Sequence, residues 1–343
     1  MSAHLENRDL QVGLEMAWHG KTIVAPIVTR ELAFPYEIER QPIFSQSGEK
    51  IPGWSVFVCD DDGAIAGKPV ADTYVALLNS RFWEIISNSL GGEGIVESAG
   101  TIYNRSRRFA TVRLFAPGEE FRVGDRVFKQ RLTLLDSIDG STNFYGLNTS
   151  TCVVCANTFR MAMEEKGGEF RFKLRHTKGL ISGIENMEKA IDNLAGVSAK
   201  FQAFFTQANT IPVSQVHARE AFAGFLADDK GSELSTRSLN TVGRLTSLFR
   251  GGAGNRGETL LDAISAVTDF YSHESSGGEE KPGFREKQTL SSEYGAGARA
   301  KTEFLGTVAR ETETGIEFAP ENWRDLLVKG RATLARTESV LAN

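Results

Sequence analysis

Apolar and polar residues alternate with two different periods along the chain, and each period predicts a different kind of element. Between residues 94 and 136, the runs GIVESAGTIY, RRFATVRLFA and RVFKQRLTLLD are rich in β-branched and aromatic residues and predict extended strands. The Pro117-Gly118 dipeptide separates two of these runs and indicates a turn. We therefore expect an antiparallel β-meander in this part of the chain.

Helical spacing of apolar residues is found on both sides of the meander. Apolar side chains recur three and four positions apart within residues 73–92, and residues 157–166 predict a second helix. Residues 184–205 contain a short heptad-like seam, which is typical of intramolecular helix packing and, less often, of a subunit contact. Residues 322–341 predict an amphipathic helix that closes the chain.

The order of these elements predicts an α+β fold, with an antiparallel β-meander, helices packed on one of its faces, and then a mostly helical C-terminal region. We divide the chain into an N-terminal arm at 1–45, an α+β core with a basic β-sheet at 46–180, and the mostly helical region at 181–343. Within the last region, residues 251–257 and 272–283 are rich in glycine or polar residues and predict loops.

The composition is typical of a globular protein: of 343 residues, 41% are hydrophobic and 24% are charged. No apolar run approaches the roughly 20 residues that a membrane helix needs. The N-terminus lacks the pattern of a signal peptide, and three cysteines do not make a disulfide framework. We therefore expect a cytoplasmic protein with no membrane partner.

One stretch departs from the acidic balance of the chain, whose net charge is −5. Between Thr101 and Arg131, eight basic residues stand against three acids, which gives 8 − 3 = +5. The basic residues are Arg105, Arg107, Arg108, Arg113, Arg122, Arg126, Lys129 and Arg131. The aromatic residues Tyr103 and Phe109 lie in the same stretch. Farther on, the alternation in FRFKLRH predicts that Arg171, Lys173 and Arg175 share one face of a strand.

Arginines and aromatic rings on one sheet are the combination that single-stranded nucleic acid requires, because guanidinium groups contact phosphates and rings stack on bases. We therefore expect these basic residues, with Tyr103 and Phe109, to bind nucleic acid. The alternative is a solvated sheet face on which basic residues prevent edge-to-edge aggregation.

The other motifs do not assign a catalytic or metal site. Cys152 and Cys155 form C-x-x-C, but a structural zinc site needs four ligands, and the remaining cysteine and histidines have no ligand spacing. GGAGNRG lacks the Gly-Lys-Ser/Thr of a phosphate loop. We therefore predict no metal, no cofactor and no assigned catalytic residue, although an enzyme stays open because catalytic groups meet in space.

Several short motifs occur in an order that resembles one protein family. They are WHG at 18–20, ESAGTI at 97–102, DSIDGS at 136–141, VVCANTFRMA at 153–162, HT at 176–177 and GNRGETLLDAISAVTDFYSH at 254–273. Together they resemble the domain of unknown function 932 (DUF932) family of phages and plasmids, over most of the chain. The resemblance implies a mobile-element origin in a bacterial host, but the family has no agreed activity.

The element order is also similar, at the level of the fold alone, to the Rad52-like single-strand annealing proteins of phages. This similarity implies a protein that binds single-stranded DNA and anneals strands without ATP in phage or plasmid recombination, as a homo-oligomeric ring or filament. An alternative function is a non-annealing phage–host conflict protein, either an enzyme or an inhibitor, with a pocket around Cys155, Asn157 and His176. A self-assembling structural protein is a third hypothesis, and core packing is the competing interpretation of those three side chains.

Overall fold

The computed structural model of the chain describes residues 13–18, 21–26, 28–89, 94–102, 104–114, 120–152, 157–159, 171–184, 194–228, 232–275, 291–292, 295–312 and 315–341. Antiparallel sheets dominate up to residue 174, and helices dominate from residue 194 onward. This arrangement confirms the predicted α+β class.

Two small sheets and a short helix precede the main sheet. Strands β1 (Gly13–Trp18) and β2 (Lys21–Pro26) pair with each other. After helix α1 (Arg30–Ala33), strands β3 (Ile38–Phe44), β4 (Lys50–Cys59) and β5 (Val70–Ala71) form a three-stranded antiparallel sheet in that order. Helix α2 (Asn79–Ser89) follows and leads into the main sheet.

The main sheet contains seven antiparallel strands among the described residues. They are β6 (Gly94–Ile102), β7 (Arg107–Leu114), β8 (Glu120–Val123), β9 (Arg126–Ser137), β10 (Phe144–Cys152), β11 (Asn157–Phe159) and β12 (Arg171–Leu174). The order is β11-β10-β9-β7-β6, with β12 also paired to β10 and β8 also paired to β9. The long strand β9 is therefore the centre of the sheet.

Helix α2 covers one face of this sheet. Its buried side chains Phe82, Ile85 and Ile86 belong to one core cluster with apolar residues of the sheet strands, including Val112 and Leu134. The contact follows from the strand pattern, because alternate side chains point to the same face and the apolar set turns toward the helix. The predicted position of a helix on one face of the sheet agrees with this packing.

The second part of the chain is a helical bundle with a small hairpin. Its helices are α3 (Leu194–Thr210), α4 (Gln215–Leu226), α5 (Thr236–Gly251), α6 (Leu260–His273), α7 (Ala296–Val308) and α8 (Pro320–Leu341), with strands β13 (Ala309–Thr312) and β14 (Gly315–Phe318) before the last helix. None of the described helices is long and apolar enough to cross a membrane.

Aromatic packing joins the sheet to the helical bundle. Phe121 on β8 and Phe128 on β9 stack with ring centroids 5.1 Å apart, and Phe128 stacks on Phe205 of α3 at 4.9 Å. All three rings belong to the same buried cluster as the helical core. The helical bundle and the β8–β9 end of the sheet therefore share one hydrophobic core cluster.

Helices α4 and α8 cross at a point where only glycine fits. A Cβ atom on Gly330 would lie 1.7 Å from the carbonyl oxygen of Glu220, and one on Gly224 would lie 2.2 Å from that of Leu326. Such distances are far below van der Waals contact, so the two backbones approach closely because both positions lack a side chain.

Three places show in detail how the structure compares with the sequence-based interpretation. Residues 28–44, within the predicted arm, contribute buried Phe34 and Tyr36 and strand β3 to the folded protein. Residues 157–159 form strand β11 and not the start of a helix, because they pair with the end of β10. Phe201 and Phe205 of the heptad-like seam are buried in the protein's own core, in agreement with the intramolecular packing that the sequence favoured.

Candidate functional site

A buried ion network lies where helix α2 meets the central strand β9. Arg108 is 0% exposed, and its Nη1 donates hydrogen bonds to the carbonyl oxygen of Leu77 at 2.9 Å and to Asn79 Oδ1 at 3.0 Å. Its Nη2 is paired with the carboxylate of Asp136. Burial alone would raise the pKa of Asp136, but the charge of Arg108 and the contact with His176 outweigh burial and lower it.

His176 extends this network toward the surface. Its Nε2 lies 3.0 Å from Asp136 Oδ1, and its Nδ1 lies 2.9 Å from the carbonyl oxygen of Val75. The imidazole ring stacks on Tyr74, with centroids 4.7 Å apart and an interplanar angle of 24°. The Tyr74 hydroxyl donates to the carbonyl oxygen of Ser137 at 2.7 Å, so the ring pair is fixed at both ends.

An open cavity of about 620 Å³ lies on the outer side of this ring pair. Its lining includes Trp54, Tyr74, Asp139, His176, Thr177 and Lys178. Trp54 is 49% exposed, although tryptophan usually buries most of its ring. The cavity therefore brings a partly exposed indole, a carboxylate and a lysine together on one concave surface.

The loop between β9 and β10 forms one wall of the cavity, and two glycines with a positive φ, one inside this loop and one packed against it, lie at this wall. Gly140 has a φ of +70° and its backbone lies against the Tyr74 ring, where an added Cβ would be 3.2 Å from a ring carbon. Gly67 has a φ of +81° and lies against Asp139. Both positions favour glycine because residues with a Cβ seldom adopt a positive φ.

The family comparison can now be placed on this geometry. The family described as "Domain of unknown function (DUF932)" matches residues 68–312, which is more than half of the chain. The chain belongs to the DUF932 family. Comparisons with curated proteins and with solved structures found no match, and the analogy to Rad52-like proteins has no support from them. Trp54 lies outside the DUF932 segment, whereas Asp139 and His176 lie inside it.

In this DUF932 protein, three arginines predicted to face nucleic acid are instead buried. Arg108 belongs to the network above, and Arg113 lies 3.7 Å from Glu97. Arg113 is directly opposite Arg131 on the neighbouring strand, and Glu97 also binds Arg131. Because two facing arginines would repel each other, the shared carboxylate stabilises this part of the sheet. Arg113 is therefore buried within the sheet and is not exposed to a ligand.

Arg126, the third buried arginine, connects the sheet to the helical bundle. Its Nη2 donates to the carbonyl oxygen of Gly254 at 2.8 Å and is paired with Asp262 near the start of α6. Burial alone would raise the pKa of Asp262, but backbone N–H groups and the Arg126 charge outweigh burial and lower it. The predicted loop at 251–257 is thus held by an arginine of the sheet.

Arg105 is held against the turn after β4. Its Nη1 donates to Asp61 Oδ1 at 2.7 Å and to Asp62 Oδ1 at 3.2 Å, and its guanidinium lies 4.3 Å from the centroid of the Tyr36 ring. Asp61, Asp62 and Cys59 place potential metal ligands within 4.8 Å of one another. Burial raises the pKa of the Cys59 thiol, and Arg105 already supplies positive charge at this cluster. The cluster therefore suits the arginine side chain better than a metal ion.

The remaining predicted site residues are buried, lie near polar or acidic side chains, or fall outside the described part of the chain. Phe109 is a buried core residue, so it offers no ring to a base, and Arg107 donates to Ser141 at 2.9 Å. Arg122 and Lys129 lie 3.9 Å and 3.8 Å from Glu120. Tyr103 and Cys155 lie outside the described residues, and of Arg171 and Asn157 only the backbone is described.

The basic residues of the FRFKLRH segment do lie at the surface. Lys173 and Arg175 are exposed, as is Lys178, which lines the cavity. The Lys173 ammonium lies 5.8 Å from the centroid of the Tyr145 ring on the adjacent strand. None of these three makes an ion pair with a described acidic residue. The sequence pattern did not indicate Trp54 or Asp139, because their partners in the cavity are distant in sequence.

Proposed function

We propose that this DUF932 protein binds single-stranded DNA at the cavity beside His176 and anneals complementary strands without nucleotide hydrolysis. The observation that carries the proposal is the shared location of a half-exposed indole and an exposed basic segment. Trp54 and Lys178 line the same cavity, and Lys173 and Arg175 precede Lys178 on the same segment of chain.

These groups match the two needs of a single strand. An exposed ring provides a stacking surface for any base, worth about 1–3 kcal/mol per base. Exposed lysine and arginine side chains contact the phosphates that follow and precede that base. The buried Arg108, Arg113 and Arg126 support this surface only indirectly, since Arg108 and Arg113 pair with carboxylates of the sheet and Arg126 joins the sheet to the bundle.

Annealing requires that two strands be aligned over many nucleotides. A cavity of about 620 Å³ is about the size of a site for one small ligand and therefore accommodates only a short part of a strand. We propose a homo-oligomer, a ring or a filament, that repeats the site along the strand. Light scattering of the purified protein with and without single-stranded DNA measures this assembly, and a monomer that anneals normally would contradict it.

A salt-titrated binding experiment tests the proposal. We expect a labelled single-stranded oligonucleotide to bind more tightly than the corresponding duplex, with an affinity that falls as salt rises. Trp54→Ala should weaken single-strand binding by about tenfold, the equivalent of one lost stacking contact. Phe44→Ala is the matched control, since Phe44 is 57% exposed on the same sheet but does not line the cavity. Equal affinity of both variants and the wild type would overturn the proposed site.

One observation favours a second function, a ligand-binding or catalytic pocket of a phage–host conflict protein. The buried Arg108–Asp136–His176 network ends at the cavity. The His176 imidazole, which the network holds in a fixed orientation, would therefore face any molecule that binds in the cavity. A chain that binds no oligonucleotide but loses a host-directed activity in the His176→Gln variant would support this function in place of DNA binding.

A further inference from the structure

The cavity contains an acidic group that phosphate binding does not explain. Asp139 is buried, with 8% of its surface exposed, and it lines the cavity. Its Oδ1 accepts a hydrogen bond from the Ser141 backbone N–H at 2.9 Å, and its Oδ2 accepts one from the Lys68 N–H at 3.3 Å. A Cβ atom on Gly67 would lie 2.6 Å from Asp139, so the carboxylate is also confined on that side. The position of this carboxylate is therefore fixed before any ligand arrives.

A fixed carboxylate selects ligands by their hydrogen-bond donors. An ionised carboxylate can accept about four hydrogen bonds, and two of those positions on Asp139 are occupied by backbone N–H groups. The same charge repels a phosphate, so Asp139 does not serve the nucleic-acid backbone. The part of a nucleotide that suits it is a base edge with N–H groups.

Guanine suits such a carboxylate best among the four bases. Its Watson–Crick edge presents two adjacent N–H donors, at N1 and N2, which match the two oxygens of a carboxylate. Adenine and cytosine each present one exocyclic amino group. Thymine presents one N–H between two carbonyl oxygens, and these oxygens would face the negative charge.

We propose that the cavity selects guanine, with the base stacked on Trp54 and its Watson–Crick edge on Asp139. The inference rests on the proposed function, since it assigns a base to the single strand that binds there. Lys178 on the cavity rim is placed for the adjoining phosphate, and Asp139 gives the specificity. A stacked base that is read on its Watson–Crick edge is a known arrangement in the sequence-specific recognition of single-stranded RNA.

The experiment compares labelled hexamers of thymidine that carry one central substitution. We expect the hexamer with one central deoxyguanosine to bind wild-type protein about tenfold more tightly than the all-thymidine hexamer. A central deoxyinosine, which lacks the N2 amino group, should bind with intermediate affinity. Deoxyadenosine and deoxycytidine should bind less tightly than deoxyguanosine. This series uses only the wild-type chain, so the folding of a variant does not affect it.

The variant Asp139→Asn tests the assigned group. We expect it to bind the all-thymidine hexamer at least as tightly as the wild type, because the negative charge that faces the thymine carbonyl oxygens is removed, and to lose most of the preference for deoxyguanosine. Asp72→Asn is the matched control, because Asp72 is next to Ala71 of the cavity wall but accepts a hydrogen bond from Ser55 and does not line the cavity. The control should keep the wild-type preference.

The outcomes separate this inference from the function on which it rests. Equal binding of all hexamers, or tighter binding of deoxycytidine or deoxyadenosine, would overturn the guanine preference and leave single-strand binding in place. A preference that persists in Asp139→Asn would overturn the role of Asp139. Absence of binding to every hexamer and to longer single strands would overturn both the proposed function and this inference.

Discussion

Two groups of basic side chains in the same region of the molecule have opposite environments. Arg108, Arg113 and Arg126 lie on the central strands β7 and β9, and all three are buried against carboxylates. Lys173 and Arg175 lie on or beside strand β12, and both are exposed. The comparison teaches that a local excess of positive charge in a sequence does not by itself make a positive surface.

The difference follows from the acceptors that each side chain meets in the folded protein, because Arg175 is exposed although it is also an arginine. The guanidinium of arginine has five N–H donors in a planar fork, so it can satisfy several acceptors at once inside a protein. Arg108 uses this capacity to join Leu77 and Asn79, at the start of helix α2, to Asp136 on strand β9. Lysine has a strongly hydrated charge and remains at the surface when no such set of acceptors is present.

Breaking the buried network should have the largest effect. Arg108→Met should reduce the free energy of unfolding by about 3–5 kcal/mol, because it leaves the carboxylate of Asp136 buried without its arginine. Chemical denaturation followed by circular dichroism measures the change. The double variant Arg108→Met/Asp136→Leu should recover part of the loss, since it removes both charges. A single variant as stable as the wild type would show that the pair does not stabilise the fold.

The next largest effect should separate two arginines of one hairpin. Arg126→Ala should lower the free energy of unfolding by about 3 kcal/mol, because Arg126 ties the sheet to Asp262 in the helical bundle. Arg122→Ala should change it by less than about 0.5 kcal/mol, since that side chain is 73% exposed. Similar losses in both variants would mean that the buried ion pair between sheet and bundle contributes no more to the free energy of unfolding than an exposed arginine does.

Two aspartates on helix α6 extend the comparison to pH. Asp262 is paired with Arg126 and its pKa is lowered. Burial and the nearby charge of Glu274 raise the pKa of Asp269 to about 7, although Arg244 opposes the shift. A lowered pKa gives stability that is present above the ordinary value of about 4 and is lost as the pH falls below it. A raised carboxyl pKa has the opposite effect, because stability falls as the pH rises from about 4 to about 7.

Melting temperatures of the two asparagine variants test these signs. Asp269→Asn should melt at least about 2 °C higher than the wild type at pH 8 and gain much less at pH 5, because it removes the cost of ionising a buried carboxyl. Asp262→Asn should melt lower than the wild type at pH 7, since Arg126 loses its charged partner. The same shift for Asp269→Asn at both pH values would contradict the raised pKa.

The smallest effect on stability should come from the exposed basic residues. Lys173→Ala, Arg175→Ala and Lys178→Ala should each change the free energy of unfolding by less than about 0.5 kcal/mol. Each should also reduce the salt dependence of single-strand binding by about 0.7 in the logarithmic slope, which is the value for one phosphate contact. An unchanged slope in the triple variant, with normal folding, would move the DNA site away from this segment.

The sequence by itself determined the class of fold and most of its regular elements. The alternation between residues 94 and 136 predicted the strands of the sheet, and the structure has strands β6, β7 and β9 there. The spacing of Trp323, Leu326 and Leu334 predicted the last helix, in which all three are buried. These features depend on local periodicity, which decides the element that can bury an apolar face.

Element boundaries depended more on partners that are distant in sequence. Helix α2 begins at Asn79 and not near Asp72, because the carboxylate of Glu37 accepts the backbone N–H groups of Asn79 at 2.5 Å and Ser80 at 2.8 Å. Burial would raise the pKa of Glu37, but these N–H donors outweigh burial and lower the pKa. A cap supplied from another element leaves no signal in the helix's own sequence.

Only the tertiary structure decided which charged residues are buried and which residues form the cavity. Nothing in the DSIDGS motif indicated burial, and the structure places its Asp136 in the core and its Asp139 at the cavity. Trp54 reaches the same cavity from a separate sheet. The physical reason is that periodicity records which face of an element is apolar, whereas the pairing of an arginine with a carboxylate depends on elements that meet only after folding.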